Sequence, residues 1–179
     1  MRVIAGVARG HPLVAPRDRG TRPITDRVKE TLFGILGARV LDARVLDLYA
    51  GSGAIGIEAL SRGAAHATFV EHARPALVAL RGNLGRTHLA ELADVAESDV
   101  ERFLALPADE AWNLVFLDPP YELRAIVAPL RAVEPKLAQD AMVVVKHFWR
   151  TEVPEARGLH LVRQRRFGET MLSFLEAPG

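Results

Sequence analysis

An acid, two prolines and an aromatic ring stand together at Asp118, Pro119, Pro120 and Tyr121, directly after the apolar run from Leu114 to Leu117. Proline has no N–H to give a sheet ladder, so a strand through the apolar run must end here. Its end offers a carboxylate and several carbonyls, all of them acceptors, beside a ring on which something flat can stack. A guest rich in N–H donors and planar is implied. An exocyclic amine on a nucleobase meets both demands.

A second group of residues surrounds a glycine loop. "VLDLYAGSGAIG" sets Gly51, Gly53 and Gly56 in a G-x-G-x-x-G arrangement after a short apolar run. In a dinucleotide fold such a loop brings pyrophosphate to a helix N-terminus, and an acid at the end of the second strand holds a ribose. Glu71 could serve that ribose, and a solvated strand-end acid is the plain alternative for it. Asp47 tilts the choice of ligand, because its carboxylate would repel a pyrophosphate and attract the α-amino group of S-adenosylmethionine (SAM), which carries no phosphate. A loop-capping acid with no ligand is the plain alternative for Asp47. Asp99 follows the third strand candidate, where it could accept from an adenine amine or simply cap the helix that begins at Val100. The cofactor set read from these segments is Asp47, Tyr49, Ala50, Gly51, Ser52, Gly53, Glu71, His72, Asp99 and Val100, with His72 an exposed loop residue beside Glu71. None of the histidines has a metal-ligand spacing, so no metal is expected.

The elements that must position these residues alternate regularly. Thr25 can N-cap a helix whose apolar stripe is Val28, Leu32, Phe33 and Leu36, with Gly37 as its stop. From Arg44 onward, strands are expected at "RVLDLYA", "ATFVE", "ADVAESD", "WNLVFLD" and "AMVVVKHF". Helices fall between them, over "GSGAIGIEALSRG", from about Arg74 to Arg86, from Val100 to Leu106, and from about Leu123 to Leu137. "LHLVRQR" and "TMLSFLEA" close the chain as an antiparallel hairpin. This alternation implies an α/β fold, a mostly parallel seven-stranded sheet with helices on both faces.

Length and composition fit one domain. A chain of 179 residues, 49% hydrophobic, can bury one substantial core. No cysteine is present, which removes disulfides, thiolate nucleophiles and Cys-based zinc sites. No apolar run has membrane-spanning length and the first residues lack a signal-peptide core, so a cytoplasmic protein is expected. The net charge is +1, yet residues 1–24 hold five arginines against one aspartate. That segment, "RVIAGVA" followed by a Gly-, Pro- and Arg-rich stretch, reads as a basic N-terminal hairpin or arm, with residues 25–179 as the catalytic domain.

The chain resembles class I SAM-dependent methyltransferases, with "VLDLYAGSGAIGIEAL" as their motif I and "DPPY" as motif IV of the enzymes that methylate amines. More closely it resembles the RsmD family, bacterial enzymes that methylate guanine N2 in 16S ribosomal RNA of the small subunit. The resemblance runs nearly the full length, through "MRVIAGVARGHPL", "RPITDRVKETLFGIL" and "FGETMLSFLEA". It implies a Rossmann-like fold and SAM as methyl donor. It implies 16S rRNA, within an assembling or assembled small subunit, as partner. Ile24, Gly34 and the pair Lys146–His147 depart from the family, the last standing where an acid is common.

The chemistry suits the resemblance. The lone pair of an exocyclic guanine amine is delocalised into the ring, which makes it a poor nucleophile. Acceptors on its two N–H bonds, from the Asp118 carboxylate and the Pro119 carbonyl, favour a pyramidal nitrogen aimed at the methyl group by preorganisation alone. Pro120 stiffens the loop, and Tyr121 would stack on the base for about 1–3 kcal/mol. The base must be unstacked or single-stranded to arrive.

RNA contacts are expected from Arg2, Arg9, Arg17, Arg19 and Arg22 of the arm and from Arg27 and Lys29 of the next helix. "RQRR", Arg163 to Arg166, could add contacts, and an exposed hairpin explains it equally well. Three rivals share parts of the pattern. An adenine-N6 methyltransferase on DNA or RNA shares DPPY but normally needs a recognition domain for which there is no room. An oxidoreductase shares the glycine loop only. A non-catalytic RNA-binding module explains the arginines and neither motif.

Overall fold

In the computed structural model, residues 1–16, 24–107, 111–119, 124–153 and 158–179 are described. Seven strands form one sheet in the order β3-β2-β1-β4-β5-β7-β6. Strands β1 (Arg44–Leu48), β2 (His66–Glu71), β3 (Ala93–Glu97), β4 (Trp112–Leu117) and β5 (Leu137–Phe148) run parallel, while β7 (Thr170–Glu176) is antiparallel to both β5 and β6 (His160–Phe167). Helices α1 (Asp26–Leu36), α2 (Ala54–Ser61), α3 (Arg74–Thr87), α4 (Val100–Ala105) and α5 (Arg124–Val133) fall between the strands. This is the mostly parallel, Rossmann-like sheet with a closing hairpin that the alternation implies.

Alternation along each strand splits the core in two. Val45, Phe69, Leu114, Phe116, Val144 and Phe174 face α1, α2 and α3, whereas Leu46, Val70, Val115, Val143 and Leu175 face α4 and α5. The same period of two carries past the strand ends. It sends Asp47, Glu71, Asp118 and Lys146 toward the first of these faces. Chain direction brings all four to the carboxyl edge of the parallel strands. Because β1 pairs with β2 on one side and β4 on the other, the strand order reverses between β1 and β4. A crevice opens at such a reversal, and ligands of open α/β sheets bind there.

One expectation about the elements is corrected. The helix expected to reach Leu137 ends at Val133 and is followed by one 3-10 turn, Glu134–Lys136. Pro135 in that turn has no N–H to continue the helical ladder. Strand β5 accordingly begins at Leu137, four residues before the expected start, and carries an irregularity at Asp140, whose φ is +56°.

The N-terminal segment, read as a hairpin or arm, is in its described part a hairpin docked on the sheet domain. Arg2 bridges Pro12, and Val3, Ala8 and Leu13 are buried in the core shared with α1 and α2. Helix α2 satisfies the hairpin's backbone. Glu58 accepts from the amides of Ile4 (2.8 Å) and Ala5 (3.0 Å), and Ser61 Oγ accepts from Ala8 (3.0 Å) and donates to the Ala5 carbonyl (2.6 Å).

Candidate active site

The glycine loop turns sharply out of β1. Tyr49 and Gly51 both take positive φ, +59° and +57°, before α2 begins at Ala54. A Cβ on Gly51 would meet nothing within 4 Å, so this glycine serves the turn and leaves the loop's surface open. Gly56 answers to crowding instead: a Cβ there would sit 2.3 Å from the Phe69 ring and 3.1 Å from Asp47 Oδ2.

Asp47 lies under this loop, 1% exposed, with Oδ2 accepting from the Gly56 amide at 2.9 Å. Burial pushes its carboxyl up to about 8, the Gly56 hydrogen bond opposes the rise, and the nearby Asp118 and Glu71 carboxylates add to it. A desolvated acid of this kind would gain strongly from an arriving cation. An α-ammonium group is one.

Glu71 is the loop's brace. Its Oε2 accepts from the Gly51 amide at 2.9 Å, and its Oε1 from the amides of His72 and Ala73 at 2.8 Å each. Three donors occupy three of roughly four lone-pair positions of a carboxylate. One position is left for a ligand hydroxyl. His72 is exposed, its ring 3.8 Å from Glu71, in keeping with a loop residue.

At the next strand end, Asp99 caps α4, accepting from the Glu101 amide at 2.9 Å. Val100 is buried in the α4/α5 core, so only its backbone can meet a ligand. The Tyr49 hydroxyl is pushed up to about 12, by burial first and then by Asp99 and Glu101. Ala50 and Ser52 are buried within the loop, and Gly53 caps α2 in the left-handed region.

Asn83 was not anticipated from sequence. Fully buried on α3, it donates to the carbonyls of Ser52 and Val14, both at 2.9 Å, and accepts from the Val14 amide at 2.9 Å. One side chain thus joins the glycine loop to the end of the N-terminal hairpin. An asparagine inside an apolar helical stripe is the signal that could have drawn notice, since a buried amide needs partners.

Asp118 ends β4, its amide donating to the Leu48 carbonyl at 3.4 Å. Lys146, from β5, donates to Asp118 Oδ2 at 2.6 Å, with both side chains partly shielded from solvent. Burial pushes the Asp118 carboxyl up, and the Lys146 ammonium holds it back by charge and hydrogen bond. The lysine that read only as a departure from the family is therefore the counter-ion of the acid in the DPPY segment. Pro119 is buried beside it; Pro120 and Tyr121 lie outside the described residues.

Among the basic residues, Arg2, Arg9 and Arg27 are exposed, Arg2 with Asp26 at 3.1 Å, while Arg17, Arg19 and Arg22 lie outside the described residues. Lys29 is a correction. It is 0% exposed, paired with Glu58 at 3.3 Å and donating to the Arg2 carbonyl, so it faces the hairpin and cannot reach an RNA. Position on α1 explains this: Lys29 follows Val28 on the buried side, where the hairpin covers it.

Residues 1–176 match the protein family described as "Conserved hypothetical protein 95". YlbH of Bacillus subtilis (strain 168), provisionally named an rRNA methyltransferase, is 38% identical over 184 residues that span 100% of both chains. Ribosomal RNA small subunit methyltransferase D of Escherichia coli (strain K12) is 42% identical over 148 residues, 82% of this chain and 74% of the relative. The solved structure of YhhF from Escherichia coli, provisionally described as a methyltransferase, superposes with a TM-score of 0.89 at 36% identity, covering 99% of this chain and 98% of that one.

Proposed function

Because the chain belongs to the Conserved hypothetical protein 95 family, the RsmD methyltransferases, we propose that it methylates the exocyclic N2 amine of a guanine in 16S rRNA, with SAM as donor. The substrate would be presented on a small ribosomal subunit. The observation that carries the reading is the Asp118–Lys146 pair at the carboxyl end of β4, on the same sheet face as Asp47 and Glu71.

SAM, when bound, supplies a methyl group on a sulfonium. Asp47 would hold the ligand's ammonium, Glu71 would offer its remaining lone pair to a ribose hydroxyl, and the open face of Gly51 would border the ligand. Asp118, whose ionised form Lys146 favours against burial, would accept one N–H of the guanine amine, and the Pro119 carbonyl the other. Two acceptors on one nitrogen localise its lone pair and aim it. The nitrogen lone pair forms the new N–C bond as the C–S bond breaks toward sulfur. The cationic nitrogen would then shed a proton, which the Asp118 carboxylate would be placed to accept.

Small subunits from a strain lacking the gene, incubated with the protein and methyl-labelled SAM and digested to nucleosides, should yield labelled N2-methylguanosine by mass spectrometry. Asp118→Ala should lower that yield by at least a hundredfold, equivalent to about 3 kcal/mol of lost transition-state stabilisation. Labelled N6-methyladenosine would keep the catalytic arrangement and overturn the substrate. A fully active Asp118→Ala variant would remove Asp118 from the chemistry.

A further inference from the structure

The closing hairpin leaves β6 at the edge of the sheet, and among the described residues neither of its faces is covered. Every residue from His160 to Arg166 is exposed, including Leu161 and Val162. Arg163, Arg165 and Arg166 lie on this strand, and no acid interrupts the run from Gly158 to Gly168. The acids of the two strands and their turn are set apart, Glu169 in the turn and Glu176 at the far end, where it pairs with Arg39. Charged residues on an edge strand discourage edge-to-edge association, and lysine would serve that purpose. Here each cation is an arginine, and one is stacked.

The stack is at Trp149, just past the end of β5. The Arg166 guanidinium carbon lies 3.8 Å from the Trp149 ring centroid and that of Arg150 lies 4.8 Å from it, with the Phe148 ring 6.2 Å away. Trp149 donates its amide to the Glu169 carbonyl at 2.9 Å, and Arg166 Nε donates to the Gly168 carbonyl at 2.7 Å. Ring and guanidinium are thus held by the hairpin turn. Single-stranded RNA is bound by such partners, bases stacking on aromatic rings or guanidinium planes and phosphates pairing with arginine.

Position supplies the remaining argument. Trp149 is three residues beyond Lys146, about 10 Å along an extended chain from the cation that pairs with Asp118. Arg165, joined to Lys146 through Leu172, shares its face, and Arg166 lies one residue on, across the edge strand. RNA leaving a nucleotide held at Asp118 would therefore pass Arg165 before meeting the stack at the sheet's edge. We propose that the Trp149–Arg166 stack and the exposed β6 arginines form a docking rim for single-stranded RNA flanking the target nucleotide. This rests on the proposed RNA substrate and adds a second contact surface, separate from the N-terminal hairpin.

The test compares the wild type with a variant carrying Arg163→Gln, Arg165→Gln and Arg166→Gln together. Affinity for small subunits lacking the methyl group is measured across a salt series, with S-adenosylhomocysteine (SAH) affinity as the folding control. The rim predicts at least a tenfold rise in KM for subunits near 0.1 M salt. The slope of log K against log[salt] should fall in magnitude by about 2, as expected for three lost phosphate contacts on a single strand. SAH affinity should stay within twofold. Unchanged slope and KM would overturn the rim while leaving the methyltransferase reading intact. Wild-type binding that is indifferent to salt would also overturn it, since the contact would then be with protein. A slope lost in the variant, with no methyl on any guanine of wild-type-treated subunits, would support the rim and sink the substrate assignment.

Discussion

The two acids at the crevice differ in what opposes their burial. Asp118 has Lys146, whose charge and hydrogen bond oppose the rise that burial imposes on the carboxyl and so favour its ionised form. If methyl transfer needs that form, the rate should rise with pH through the Asp118 titration. Lys146→Met removes the opposing cation and raises the carboxyl further, so the midpoint of that rise should move to higher pH. Lys146→Arg should restore most of the shift. A profile of kcat against pH for the three proteins decides it, and a lower rate with an unmoved midpoint would reduce Lys146 to a packing role.

Asp47 has a hydrogen bond but no such cation, and its carboxyl titrates near 8. Its folded value is raised above the unfolded one, so the folded state binds the extra proton. Stability therefore declines as pH rises from about 4 to about 8, and the cost is complete above that window. Asp47→Asn removes the cost while keeping an acceptor for Gly56. Without ligand, the variant should melt several degrees above the wild type at pH 8, with the gap narrowing toward pH 5. It should bind SAH at least tenfold more weakly, if Asp47 holds the ammonium. Thermal melts at the two pH values and titration calorimetry check both halves, and a less stable variant at pH 8 would contradict the desolvation argument.

At the scale of elements, strand alternation does most of the positioning. Asp47, Glu71, Asp118 and Lys146 come from four strands. They meet because each stands an even number of positions from residues facing α1 to α3, and because parallel strands end at one edge. The glycine loop and the hairpin are then tied by Asn83, which bonds Ser52 and Val14 at once. Asn83→Ala leaves three backbone groups without this partner, the Ser52 carbonyl buried and the two of Val14 part-buried. A loss of about 2–4 kcal/mol in unfolding free energy is expected, together with weaker SAH binding even after conditions are adjusted for equal stability. Denaturant titration and calorimetry measure the two, and unaltered SAH affinity would show that the tie does not reach the cofactor loop.

For the whole molecule, the hairpin and the domain share one core, and Lys29 is part of the joint. It pairs with Glu58, which also holds Arg62 at 2.8 Å and the hairpin amides of Ile4 and Ala5. Lys29→Met should cost about 3–5 kcal/mol by leaving a buried carboxylate short of charge. It should leave the salt slope of subunit binding unchanged. A reduced slope with intact stability would return Lys29 to the RNA surface.

Much of this was legible in the sequence, because the signals are local. Short apolar runs, an N-cap at Thr25, glycines after a strand and prolines that stop one are each written within a few neighbouring residues. They determined the α/β class, the strand order of appearance, and the segments that hold Asp47, Glu71 and Asp118. What only the tertiary structure decided depends on residues far apart in the chain. Lys146 meets Asp118 across 28 positions, Asn83 meets Val14 across 69, and Lys29 is covered by a hairpin that its own segment does not foretell. The same basic side chain serves as a surface charge or as a buried counter-ion according to what packs over it. Helical periodicity shows which side of α1 a residue occupies, but burial of that side depends on the hairpin folding back across it.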